Sequence, residues 1–153
     1  MTKTQIALAA MLTLGGLAAG GALAQGAGGD PIALRQGHFK ELAAAVREPG
    51  GMLRGQVSFD LAKVQGALRT ISTNAQKNVD LFPDASRTTT AKTAALPVIW
   101  EKKAEFEALF RKLDADAKGA LERIKDEASF KAEFPKVLSN CGACHNTFRV
   151  KSS

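Results

Sequence analysis

Phe130-Lys-Ala-Glu-Phe134-Pro135-Lys-Val137-Leu-Ser-Asn-Cys141-Gly142-Ala143-Cys144-His145-Asn-Thr-Phe148-Arg149 places Phe130, Phe134, Val137, Cys141, Cys144 and Phe148 at alternating spacings of four and three. That rhythm follows the 3.6-residue repeat and puts all six on one helical face. Pro135 interrupts it. The expected solution is a short helix ending near Glu133 and a longer one from Pro135 to about Val150, with the proline at its first position. Three earlier segments carry the same periodicity. The first has Ile32, Phe39, Leu42 and Val46, with Asp30 as N-cap, Pro31 at the first helical position and Pro49-Gly50-Gly51 as its end. The second carries Val57, Leu61, Val64, Leu68, Ile71 and Ala75, with Ser58 and Asp60 near its start. The third carries Ile99, Phe106, Phe110, Leu113, Ala117 and Leu121. No segment alternates with period two, so the expected fold is all-α, an antiparallel four-helix bundle. The polar stretch from Phe82 to Pro97 exceeds an ordinary helix connection, and long loops tend to carry function.

Residues 1–24 read as an export signal and residues 25–153 as one domain. Lys3 gives the positive start, an apolar run extends from Ile6 to Leu23, and Ala22-Leu23-Ala24 offers an Ala-x-Ala cleavage site before Gln25. The run is just long enough to span a bilayer, but its Gly and Ala content makes it a weak span. Cleavage removes one charge, Lys3, and lowers the formal net charge from +6 to +5. The basic residues are scattered along the expected helices and few aromatics accompany them, which argues against nucleic acid as a partner.

Two cysteines in an exported protein ordinarily imply one disulfide. Here Cys141 and Cys144 lie three apart and His145 follows at once, the pattern of c-type haem attachment. One helical turn brings both thiols to one face, where they can form thioethers with the two haem vinyl groups, and the adjacent imidazole can ligate iron. A thioredoxin-like redox pair would open a helix within a βαβ pattern, whereas this motif closes the last helix. A zinc site needs four ligands, and His38 is the one other cysteine or histidine in the chain.

Only eight residues follow His145, and none is methionine. With this C-terminal Cys141–Arg149 motif, Leu34-Arg35-Gln36 in the first helix and Leu96-Pro97-Val98-Ile99-Trp100 opening the third, the chain resembles the cytochrome c′ family. The resemblance implies a bacterial periplasmic four-helix bundle with one covalently attached haem c. It places Arg149 beside the proximal face, Arg35 and Gln36 near the propionates and Phe39 over the distal face. It also implies a homodimer formed through the first two helices. Phe82 and Phe106 are expected around the haem, and spacing alone does not divide them, Trp100 and Phe110 into pocket and core.

A phenyl ring has no lone pair for iron, so Phe39 implies five-coordinate, high-spin haem with an apolar distal pocket suited to nitric oxide and carbon monoxide. The alternative is a six-coordinate, low-spin electron carrier with an unidentified sixth ligand and an unidentified redox partner. His38, about 100° around the helix from Phe39, is read as a surface or subunit-contact residue, and Met52 as core filler. No distal acid–base pair is evident, so an enzyme is not expected.

Overall fold

The computed structural model describes residues 29–87 and 91–151, so the expected leader and its cleavage site lie outside the described residues. Five helices follow in order: α1 (Pro31–Leu53), α2 (Leu61–Asn78), the short α3 (Val98–Glu101), α4 (Lys103–Arg123) and α5 (Glu127–Phe148). Among the described residues there is no strand, only one isolated antiparallel bridge between Ala95 and Arg149. No helix of the described residues is long and apolar enough to cross a membrane. The four long helices form the expected four-helix bundle.

Asp30 caps α1 by accepting from the Ile32 and Ala33 backbone N–H groups at 3.0 and 3.3 Å, and Pro31 follows at its first position. Contrary to expectation, Pro49-Gly50-Gly51 does not end this helix. All three residues and Met52 are buried, and that burial offsets the backbone bond lost at the proline. The true stop is Gly55, at φ 69°. Its N–H donates to the Met52 carbonyl at 3.0 Å, and the Gln56 N–H donates to the Gly51 carbonyl at 2.9 Å. This is a Schellman closure, which needs the left-handed conformation that glycine adopts without steric cost. Gly51 matters differently, because a Cβ there would lie 3.0 Å from Val57 Cγ2.

Val57 sits in this turn and is 45% exposed, so it does not belong to the α2 stripe. That helix starts at Leu61, with Asp60 accepting from the Lys63 N–H at 3.0 Å. The third expected segment divides: Ile99 belongs to α3, and Lys102 breaks from helical geometry before α4 begins. At the other end of the chain α5 is one helix, not two. Asp126 and Ser129 form a capping box at its start, and Pro135 lies inside it. Phe130, Phe134 and Val137, at no more than 2% exposure, pack on both sides of the proline. Burying each is worth roughly 1.5–3 kcal/mol, enough together to outweigh the ~3 kcal/mol an interior proline costs.

The helices pack in sequence: α1 on α2, α2 on α4, and α4 on α5, with α3 touching α4 and α5. The first and last long helices are not a closely packed pair. Core side chains come mainly from α2, α4 and α5, whereas Phe39, Leu42 and Val46 on the apolar face of α1 are not fully buried. Two carboxylates lock the rest of the bundle. Asp114 on α4 accepts from Ser72 and Gln76 on α2 at 2.6 and 3.0 Å, and Asp116 accepts from Asn140 on α5 at 2.8 Å.

Gly55→Ala is expected to lower the unfolding free energy by about 1 kcal/mol in denaturant titrations, because alanine strains at positive φ. Acidification supplies a second test. Partial burial pushes the Asp114 carboxyl up, but hydrogen bonds from Lys118, Ser72 and Gln76 outweigh it and hold the group below its usual range. Asp116 is also held low, by its bond from Lys112 against a burial penalty, with Asn140 assisting. Groups depressed on folding give stability that is present above the unfolded pKa of about 4 and lost as pH falls through the folded value. Thermal melts should therefore fall in that window, and replacing both by Asn should flatten the fall.

Candidate functional site

The space between α1, α4 and α5 is a cavity of about 570 Å³, within the range of cofactor sites. From α1 it is bordered by Arg35, Gln36, Phe39, Lys40, Leu42, Ala43 and Val46. Phe39, Leu42, Ala43 and Val46, at spacings of three and four, are the apolar stripe that the bundle leaves incompletely buried. Phe106, Phe110 and Phe148 form the opposite wall, with Phe106–Phe110 and Phe106–Phe148 edge-on at 5.1 Å between centroids. Phe82 packs edge-on to Phe106 at 4.6 Å and completes it.

Cys141, Cys144 and His145 border the cavity from α5, and Arg149 lies at that helix's end. Burial pushes both thiols up, Cys144 to about 11, with Cys141 adding to the rise. A thiol so placed is a poor thiolate at neutral pH, unlike the acidic cysteine of a redox pair. His145 is held below its usual pKa by partial burial and by the Arg149 charge, which favours the neutral imidazole that binds metals. Among the described residues no group of three or more His, Cys, Asp or Glu side chains is arranged to hold a metal ion.

Arg35 organises the other end. It is 2% exposed, and among the described residues no carboxylate lies within ion-pair distance of it, although the Asp30 charge acts on it from further off and partly offsets the cost of its burial. Its Nη1 donates to the Leu81 carbonyl at 3.0 Å and to Ser86 Oγ at 3.1 Å; its Nη2 donates to Thr93 Oγ1 at 3.3 Å. The guanidinium also lies 4.3 Å from the Phe82 ring centroid. Gln36 Nε2 donates to the Lys92 carbonyl at 2.7 Å. Arg35 and Gln36 thus hold the long connection as a strap across the cavity's end. The strap's far side is stitched to the end of α5, with the Leu96 N–H on the Phe148 carbonyl at 3.0 Å and the Val150 N–H on the Ala94 carbonyl at 2.9 Å.

All nine residues singled out for the haem (Cys141, Cys144, His145, Arg35, Gln36, Phe39, Phe82, Phe106 and Arg149) border this one cavity. Phe110 does too, whereas Trp100 does not: its Nε1 donates to the Pro83 carbonyl at 3.1 Å and pins the strap. His38 faces away and is not a free surface group, since its Nδ1 meets Asn78 Oδ1 at 3.1 Å. Met52 is buried core. Lys40, Thr93 and Asn140 were missed: their spacing marks no ligand, and only the folded chain brings them to the cavity.

The donor set fits a haem. An apolar slot, two half-buried thiols, a neutral-leaning imidazole and a buried cation with no carboxylate in direct contact among the described residues match an apolar macrocycle with vinyls, iron and carboxylates. The fold and site define a class: helical bundles with a C-terminal c-type haem motif. The family profile described as Cytochrome C′ matches residues 30–149. Cytochrome c′ of Rhodopseudomonas palustris is 45% identical over 151 residues, covering 99% of each chain. Cytochrome c-556 of Agrobacterium fabrum is 36% identical over 150 residues, covering 97% of each. The solved structure of cytochrome c′ from Rhodopseudomonas palustris superposes with a TM-score of 0.78 at 47% identity, covering 81% of this chain and 98% of that one. The chain belongs to the cytochrome c′ family, and as a c-type cytochrome of that family it binds one covalently attached haem c.

Replacing Arg35 by Met should detach the strap and cost about 2–3 kcal/mol, because buried acceptors lose their donors. Denaturant unfolding of the holoprotein measures it.

Proposed function

We propose that this chain is a periplasmic mono-haem cytochrome with five-coordinate, high-spin haem that binds small gases such as nitric oxide and carbon monoxide. Cys141 and Cys144 hold the haem covalently, His145 ligates the iron, and Arg149 lies beside that proximal ligand. Arg35 and Gln36 face the propionates, and Phe82 and Phe106 wall the ring. The observation that carries this reading is Phe39, which borders the cavity from α1 while Cys144 and His145 border it from α5. A phenyl ring there offers iron no ligand. Among the described α1 side chains at the cavity, only Lys40 has a nitrogen lone pair to give, and only when deprotonated. The bound haem supplies an iron that takes up diatomic gases and exchanges one electron.

The chain's own contribution is to tether, orient and desolvate. Among the described residues no aspartate or glutamate borders the cavity, and its imidazole is the expected iron ligand, so we read the protein as a carrier or binder and not as an enzyme. Export with cleavage after Ala24 and homodimerisation through α1 and α2 belong to the same proposal.

A second reading is favoured by the relatives named cytochrome c-556: a six-coordinate, low-spin electron carrier. The spectrum of the reduced protein decides. A broad high-spin band and uptake of added nitric oxide are expected, and a sharp, split low-spin band overturns the five-coordinate reading. Phe39→Ala should speed carbon monoxide binding by at least about tenfold if the ring blocks the iron. An unchanged rate makes Phe39 a packing residue only.

A further inference from the structure

The polar end of the cavity holds one hydrogen-bond donor with no role in the reading above. Thr93 lies in the strap and borders the cavity next to Arg35. A threonine hydroxyl has two acceptor lone pairs and one proton. Both lone pairs of Thr93 are occupied, one by Arg35 Nη2–H at 3.3 Å and the other by the Ala95 backbone N–H at 3.2 Å. The second of these bonds spans two residues and fixes the side chain against its own backbone. Among the described residues the hydroxyl proton has no acceptor, and Thr93 borders the cavity, so a group that fills the cavity can accept it.

The electrostatics select the class of acceptor. Charged and titratable side chains at the cavity are Arg35 and Lys40 on α1, and Cys141, Cys144, His145 and Arg149 from α5. α2 and α4 present only apolar side chains, and among the described residues no aspartate or glutamate borders it, the Asp30 charge acting on Arg35 from outside the cavity lining. Of the five guanidinium N–H groups of Arg35, two on Nη1 and one on Nη2 are engaged, which leaves the Nε–H and one Nη2–H. A carboxylate at this end thus finds a buried cation and a fixed hydroxyl donor side by side.

We propose that Thr93 is a further carboxylate-binding residue, its hydroxyl donating to a haem propionate beside Arg35. This rests on the reading of the cavity as the haem site. Thr93 then serves two ends at once: it accepts from Arg35 and Ala95 to shape the strap, and it donates to the group that neutralises Arg35. Bonds of this O–H···O⁻ kind are short and strong.

The test uses the holoprotein. In the reduced, carbon-monoxide-bound state, the Thr93 hydroxyl proton should exchange with solvent at least about tenfold more slowly than that of an exposed threonine. It should also show a nuclear Overhauser contact to a propionate methylene. In resonance Raman spectra, the propionate bending band should move in Thr93→Val and return to its wild-type position in Thr93→Ser. A purely structural threonine would lower stability in the valine variant without moving that band. A freely exchanging hydroxyl, or a band unmoved in Thr93→Val, overturns the proposal; if the valine variant does not fold, the wild-type exchange measurement decides. A wild-type chain whose denatured mass shows no attached haem overturns the underlying reading instead, so the two failures are distinguishable.

Discussion

The separation of α1 from α5 is the constraint on which the rest of this structure depends. A bundle that closed this seam would bury Phe39, Leu42 and Val46 against α5, as the periodicity of α1 invites. It does not close: Arg35 is buried at one end with three of its five N–H groups committed to the strap, and the strap is stitched to the end of α5. A flat apolar body of matching size makes dispersion contacts with both walls of that space.

That arrangement explains a division of labour. α2, α4 and the first half of α5 make a conventional core, tied laterally by Asp114 and Asp116. α1 contributes few fully buried apolar side chains and spends its inner face on the cavity. The Cys141-to-His145 motif sits near the end of α5, between the buried Val137 and the buried Phe148, and Cys144 itself packs against the core. Packing on both sides of the motif thus fixes the direction in which its two cysteines and histidine project.

Much of this was legible in the sequence. Apolar periodicity locates four long helices, and the Cys141-to-His145 spacing marks the proposed haem attachment before any fold is known. Punctuation was read less well. Pro49-Gly50-Gly51 and Pro135 each look like a helix end, yet tertiary burial carries α1 and α5 through both, while the actual stop rests on Gly55, whose positive φ no pattern announces. Ile99 fits the α4 stripe by spacing but belongs to α3. The polar contacts were illegible for a different reason. Arg35 reaches Thr93 across 58 residues and Asp116 reaches Asn140 across 24, and such partners carry no local spacing that would pair them in advance.

The bridge between Ala95 and Arg149 joins positions 54 apart in the chain. Closing a loop of that length costs entropy that rises with the logarithm of its size, and nothing rewards the closure until both partners are in place. Helix pairing between neighbours proceeds on shorter loops and so comes first. The cavity's end wall is then among the last parts of the molecule to form. Arg149 and Val150, just past α5, thus act as the fastening of the slot.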